Sequence, residues 1–185
     1  METENSIQSH LLQFIERCRV EYQQVHQAWP TVEIDSDWVS PCTPQGSDGE
    51  AVIWTPVKRP LNDSFDKVES AMSVTLHDAA KQYWTSVFSE NIALQYDDLE
   101  IELLLPWNQD DFERFQENLV GHLLTQRRFK LEPTVFIGLV IDSEVMVAID
   151  DDGQVVLEIP GRKAHRTLAT DFLSFIEQSS PYSQA

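Results

Sequence analysis

Residues 106–128, PWNQDDFERFQENLVGHLLTQRR, form the clearest helix signal in this sequence. Asn108 is a suitable N-cap, and Asp111 three positions later completes a pattern like a capping box. The early acids and the final Arg127 and Arg128 match the polarity of the helix dipole. Apolar residues at spacings of three and four define one face that we expect to be buried: Phe112, Phe115, Leu119 and Leu123.

Outside this helix, hydrophobic periodicity predicts a run of alternating helices and strands. Helices are expected at 5–28, 64–89 (with a break near His77) and 167–178. Strands are expected at 51–54, 99–105, 134–140, 145–149 and 155–159. The last three strands have short connections and predict an antiparallel meander, whereas 30–50 is a long turn-rich connection. These elements indicate an α+β fold, a single domain over residues 1–185 with a mainly antiparallel (mixed) sheet covered by four to five helices and a loose tail at 179–185.

Several local details follow from residue type. Asn5 or Ser6 can cap the first helix, and Asp63 or Ser64 the second. Cys18 lies at an apolar helix position, and we expect it to be a small core residue. Cys42 lies in a loop and could be exposed. Trp38 either anchors the 30–50 connection or forms an exposed contact, and the anchor is slightly favoured.

Acidity is the strongest global feature, with 31 acids against 13 bases and a net charge of −18. Such a field repels nucleic acid and anionic lipid and attracts basic partners, although many proteins are acidic for solubility alone. The acids concentrate in residues 30–50, 97–117 and 142–158, which together contain one base. Unmixed acid on successive elements favours a partner-binding surface. The candidate residues are Glu33, Asp35, Asp37, Asp48, Glu50, Asp97, Asp98, Glu100, Glu102, Asp110, Asp111 and Glu113.

Motifs that would carry chemistry are missing from the sequence. No phosphate-binding glycine loop, G-x-S-x-G or HExxH is present, and the acidic residues 150–152 fit a hairpin turn better than a calcium loop. His122, Asp111 and Asn118 share one flank of the 106–128 helix and could form a catalytic row or a structural hydrogen-bond network. The structural interpretation is favoured, so we predict no enzyme activity, no catalytic or metal-binding residue and no cofactor.

The chain start, METENSIQSH, lacks the basic residues of a signal peptide, and no apolar run is long enough to cross a membrane. We therefore expect a soluble cytoplasmic protein.

Three groups of residues together resemble a known bacterial family. They are residues 106–137 (PWNQDDFERFQENLVGHLLTQRRFKLEPTVFI), AWP at 28–30 and SPC at 40–42. This pattern is similar to Syd, the SecY-interacting protein family of the SUKH superfamily, and the similarity extends through VIWTP, PGRKAHRTLA and the closing helix. The resemblance implies an α+β fold and peripheral association with the cytoplasmic face of the inner membrane by binding SecY, not by direct insertion. It also implies sequestering of uncomplexed SecY, or quality control or restraint of the translocase.

Two hypotheses about the partner remain open at this point. In the first, the acidic surface docks on the basic cytoplasmic loops of SecY, which carry the Lys and Arg excess of cytoplasmic loops. In the second, the chain is an immunity-type acidic inhibitor of a basic toxin or nuclease, as many members of the superfamily are. An enzyme using His122 and Asp111 ranks last.

Overall fold

The computed structural model describes residues 6–60 and 63–183, which contain five helices and eleven strands. The helices are α1 (Ile7–His26), α2 (Asp66–Met72), α3 (Asp78–Ser86), α4 (Gln109–Arg128) and α5 (Phe172–Gln178). The strands are β1 (Thr31–Glu33), β2 (Ala51–Ile53), β3 (Val57–Lys58), β4 (Val87–Phe88), β5 (Ile92–Tyr96), β6 (Leu99–Leu103), β7 (Val135–Val140), β8 (Met146–Ile149), β9 (Val155–Glu158), β10 (Arg166–Ala169) and β11 (Ser180–Pro181). All pairs between these strands are antiparallel, so the α+β class with a mainly antiparallel sheet is confirmed.

The main sheet has seven strands in the order β10-β9-β8-β7-β6-β5-β11. The predicted meander of β7, β8 and β9 is confirmed within it. The β7–β8 register shifts between Phe136 and Gly138, which marks a bulge. A Cβ atom at Gly138 would lie 2.7 Å from the carbonyl oxygen of Glu102, so glycine permits the close approach of β6 and β7.

Helix α4 forms within residues 106–128, as its N-cap and apolar spacing predict. The Asn108 side chain accepts a 2.8 Å hydrogen bond from the Asp111 amide, as an N-cap does. The Asp111 carboxylate accepts from the amide of Trp107, one residue earlier than in a standard capping box. All four expected face residues (Phe112, Phe115, Leu119 and Leu123) are buried.

An aromatic cluster joins α4 to the sheet and to α3. The rings of Trp84 and Phe115 stack with centroids 3.4 Å apart, and Phe136 of β7 meets Phe115 edge-on at 5.2 Å. The Trp84 indole donates a hydrogen bond to the Phe136 carbonyl, which satisfies its only polar atom. This cluster fixes α4 against β7.

The strand predictions were incomplete because several strands depend on tertiary pairing. Strands β1, β5 and β10 were not predicted, and neither were the two-residue strands β3, β4 and β11. The first part of the 30–50 connection is β1, which pairs with β2 in a separate two-stranded sheet. The helix expected at 167–178 starts only at Phe172, because residues 166–169 pair with β9 as β10.

The expected break in the 64–89 helix is confirmed, since α2 ends at Met72 and α3 begins at Asp78. The expected side-chain cap of α2 is wrong, because its N-cap is Phe65 without a side-chain hydrogen bond. Ser6 caps α1, and Asn5 lies outside the described residues. Residues 180–181 were expected in a loose tail, yet they pair with β5 as β11.

Both cysteine thiols are shielded. The expectation that Cys42 could be exposed is wrong, since it is 1% exposed, and burial raises the pKa of its thiol to about 11. Cys18 packs partly buried against the core, and burial raises its pKa to about 12. The apolar side chains of α1 are buried in its first half (Ile7, Leu11, Phe14 and Ile15), whereas Tyr22 and Val25 near its end are exposed.

Candidate functional site

A groove runs across the face of the main sheet that carries the acidic side chains of β6. Ala93 of β5, Glu102 of β6 and Leu139 of β7 are direct neighbours across the three strands. Ile101 and Leu103 are fully buried on the core face. Because side chains alternate along a strand, Glu102 must lie on the opposite face.

The groove has a volume of about 710 Å³, and one end is formed by the turn between β7 and β8. That turn contributes Asp142 and Glu144, and Asp142 adopts the left-handed conformation with φ 57°. Tyr182, just after β11, forms part of the wall. We call this feature the acidic groove, defined by Ala93, Glu102, Leu139, Asp142, Glu144 and Tyr182. It combines three carboxylates with apolar surface and contains no base among its lining residues.

A second acidic feature is the two-stranded sheet of β1 and β2 with the loop between them, residues 31–53, which we call the acidic ribbon. It contains the first five candidate residues, all of them exposed: Glu33, Asp35, Asp37, Asp48 and Glu50. The loop is ordered by its own carboxylates. Asp48 accepts a 2.8 Å hydrogen bond from the Ser36 amide, which lowers the pKa of the Asp48 carboxyl group.

The acidic ribbon is fastened to the start of α4. The Trp38 ring lies 4.1 Å from the guanidinium carbon of Arg114, so Trp38 is an anchor, as favoured from the sequence. Asn108 donates from its amide nitrogen to the Val39 carbonyl while its oxygen caps α4. Ser40 donates to the Trp107 carbonyl at 2.6 Å. One asparagine thus fixes both the helix start and the loop.

Glu90 lies in the loop between β4 and β5. Burial raises the pKa of its carboxyl group, and the charges of Asp111 and Glu102 raise it further. No described side chain supplies it with a hydrogen bond or an opposite charge. Two candidate residues from different elements, Asp111 and Glu102, therefore act electrostatically on a third carboxylate that was not among the candidates from the sequence.

Other candidate residues do not join this cluster. Asp97 and Asp98, in the β5–β6 turn, face Arg166 of β10 at 3.2 and 3.4 Å. Glu113 lines a different cleft together with Lys67 of α2. Glu100 lies two residue pairs along β6 from Glu102, opposite Gln95. Asp110 is exposed in the first turn of α4.

His122 belongs to a buried polar network at the far end of α4. Its Nε2 atom lies 3.0 Å from the Thr134 hydroxyl and 3.2 Å from the Glu158 carboxylate. Thr134 also donates to Glu158 at 2.8 Å and accepts from Gln126 at 2.7 Å. The row of His122, Asp111 and Asn118 does not assemble, because the Asp111 carboxylate is bound to the amide of Trp107. These contacts give His122 the structural role that was favoured.

The described part of the chain contains no group of three or more His, Cys, Asp or Glu side chains that could hold a metal ion. Nor does any helix within residues 6–60 and 63–183 have the length and apolar character needed to cross a membrane.

The groove residues that sequence reasoning missed are Asp142, Glu144, Tyr182 and the adjacent Glu90. Asp142 and Glu144 lie in the third acidic segment, residues 142–158. The sequence therefore marked this region as acidic, but neither residue was among the candidates. Glu90 stands outside all three segments, and only the pairing of β5 with β6 brings it near Glu102.

The fold and this surface define an α+β protein with an antiparallel sheet and an acidic groove across β5, β6 and β7. A family model described as "Syd protein (SUKH-2)" matches residues 8–181. Proteins named Syd from Cronobacter sakazakii and Pectobacterium atrosepticum are 36% and 34% identical, each over 96% of this chain and 98% of the relative. Protein Syd from Colwellia psychrerythraea is 39% identical, over 80% of both chains. The chain belongs to the Syd family.

Proposed function

We propose that this protein binds the cytoplasmic loops of the SecY translocation channel through its acidic groove and acidic ribbon. Membership of the Syd family supports SecY as the partner. The observation that carries the mode of binding is the acidic groove, where Glu102, Asp142 and Glu144 line one open cleft of about 710 Å³. Cytoplasmic loops of membrane proteins carry an excess of Lys and Arg, so the charges are complementary.

The consequence for the cell is sequestering of uncomplexed SecY, or negative regulation or quality control of the translocase. Binding in this way places the protein in the cytoplasm and at the cytoplasmic face of the inner membrane, held there by SecY and not by insertion. The net charge of −18 opposes binding to nucleic acid and to anionic lipid. The proposed role is non-enzymatic and needs no cofactor.

The test is binding of the purified protein to membrane vesicles that contain SecY, measured over a range of salt concentrations. Attraction between exposed charges is screened, so we expect affinity to fall on the order of tenfold between low and physiological ionic strength. Glu102→Lys with Glu144→Lys should weaken binding by at least about tenfold. Asp98, paired with Arg166, is a poorer choice for charge reversal.

The matched control reverses Asp151 and Asp152, which lie in the β8–β9 turn at the opposite end of the strands from Glu144. This control has the same change in net charge and should bind like the wild-type protein once both are compared at physiological salt. Equal loss in both double variants would show that only net charge matters, and binding unaffected by salt would contradict the proposal. Recovery of a basic nuclease in place of SecY from a cell extract would favour the acidic-inhibitor function.

A further inference from the structure

A second cavity opens beside the acidic groove, and the two share Ala93 and Tyr182 as lining residues. Its volume is about 390 Å³, at the small end of the range for ligand sites. The walls come from the end of α1, the start of β1, the residue after β2 and the start of β5. A polypeptide segment lying in the acidic groove could therefore extend one side chain into this cavity. We call it the side pocket.

Glu90 is the carboxylate of the side pocket. It is half-buried, burial raises its pKa, and the two charges that act on it, those of Asp111 and Glu102, are also negative. A carboxylate in this setting is destabilised by lost hydration and by repulsion. A cation placed beside it would relieve both, and among the described residues no basic side chain compensates this charge.

Aromatic surface forms much of the remaining wall. Tyr22, Trp54 and Tyr182 line the pocket, and the rings of Tyr22 and His26 lie 4.2 Å apart. His26 is in turn held at the rim by the hydroxyl of Ser183 at 2.9 Å. Aromatic faces attract cations, and a planar guanidinium stacks on them better than an ammonium does.

Arg19 is the one arginine or lysine among the lining residues, and its own charge is already compensated. Its guanidinium lies 2.7 Å from the Glu16 carboxylate and donates to the Trp54 carbonyl at 2.8 Å. It also stacks over Trp29 and Trp54. Arg19 thus forms part of the wall, and its own charge is bound to Glu16 and not to Glu90.

We propose that the side pocket binds one arginine side chain of the basic segment that occupies the acidic groove, with its guanidinium at Glu90 and its plane against the aromatic wall. This inference rests on the proposed function, because it names the residue type that the same partner must present. Arginine suits the site better than lysine, since it can bond a carboxylate through two nitrogens and is less strongly hydrated. We therefore expect one arginine of the partner to contribute more to the affinity than the neighbouring residues that lie in the groove.

The first experiment titrates the full, isotope-labelled protein with N-acetyl-arginine amide and, in parallel, with N-acetyl-citrulline amide, its neutral isostere. Nuclear magnetic resonance should show shifts confined to residues around Tyr22, Trp54 and Tyr182 for the arginine compound only. Glu90→Gln should weaken this binding about tenfold or more, as loss of a charge-assisted pair does. Asp151→Asn, in the distant β8–β9 turn, is the control and should leave it unchanged.

The second experiment compares wild type and Glu90→Gln for binding to SecY-containing vesicles, where we expect a loss of about tenfold that charge screening does not remove. The arginine site is refuted if the arginine compound causes no localised shifts, or if it binds Glu90→Gln as well as it binds wild type. Either result holds independently of SecY binding. Wild-type protein that ignores SecY vesicles but binds arginine amide at Glu90 overturns the proposed function alone. The two failures are therefore distinguishable.

Discussion

Replacing His122 by alanine should destabilise the protein without affecting its partner. The His122 side chain is only 8% exposed and bonds to Thr134 and to Glu158, whose own side chain is 3% exposed. A hydrogen bond to a charged group is worth about 1.5–3 kcal/mol, and the edge contact with Phe136 adds about 0.5–1.5 kcal/mol. The free energy of unfolding should fall by about 3 kcal/mol, and Tm by roughly 6–12 °C for a chain of this size.

Urea or thermal unfolding followed by circular dichroism measures this change, and vesicle binding shows whether the partner is affected. A double-mutant cycle with Glu158→Gln tests the cause. The amide carries no charge, so losing His122 should cost at least about 1 kcal/mol less in that background. His165→Ala, at an exposed position in the loop before β10, is the control and should stay within about 0.5 kcal/mol of wild type. Unchanged stability of His122→Ala would refute the structural role and reopen a chemical one.

Three further predictions concern other parts of the molecule. The raised pKa of Glu90 means that the folded state holds this proton more tightly than the unfolded state does, so the stability of the protein falls as pH rises through that pKa. Glu90→Gln should therefore raise Tm near neutral pH. The gain should disappear in acid, below the pKa of Glu90 in the unfolded state. Gly138→Ala places a methyl group against the Glu102 carbonyl and should lower the free energy of unfolding by about 1–3 kcal/mol in a denaturant titration. Cys18 and Cys42, with pKa values raised to about 12 and 11, should resist a thiol reagent at pH 8 in the folded protein and react fully in denaturant.

The helices and strands that could be predicted from the sequence are specified by their own residues. Helix α4 has a cap, matched end charges and one apolar face, so each local preference agrees with its final environment. The β7–β9 meander combines apolar runs with short turns. Strand β10, by contrast, has exposed Arg166 and Thr167 and exists because β9 offers a free edge. Strand β5 does alternate, with Ile92, Leu94 and Tyr96 buried, but the signal is only five residues long.

The candidate site also divides into features with a signal in the sequence and features that depend on tertiary structure. Composition located the acidic segments. Of the residues proposed from them, Glu102 lines the groove, Glu100 shares its face of β6, and Asp111 acts on the adjacent Glu90. Sequence position could not show that Asp97 and Asp98 would meet Arg166, a residue 68 positions or more away. Nor could it show that half-buried Glu90 is close enough to Glu102 and Asp111 to feel their charge, because those residues come from β6 and α4. Burial and counter-charges are tertiary properties, and they decide which carboxylates remain available.

Among the described strands, those of the acidic ribbon pair only with each other, through three residue pairs, and lie outside the seven-stranded sheet. Its five exposed carboxylates repel one another, and the core of the protein does not depend on that ribbon for strand pairing. Dissolved salt therefore acts on it in two opposite directions. Screening reduces the internal repulsion and slows amide hydrogen exchange in residues 31–53, while it weakens attraction to a basic partner. The ribbon is then at its most ordered under the conditions in which it binds least tightly.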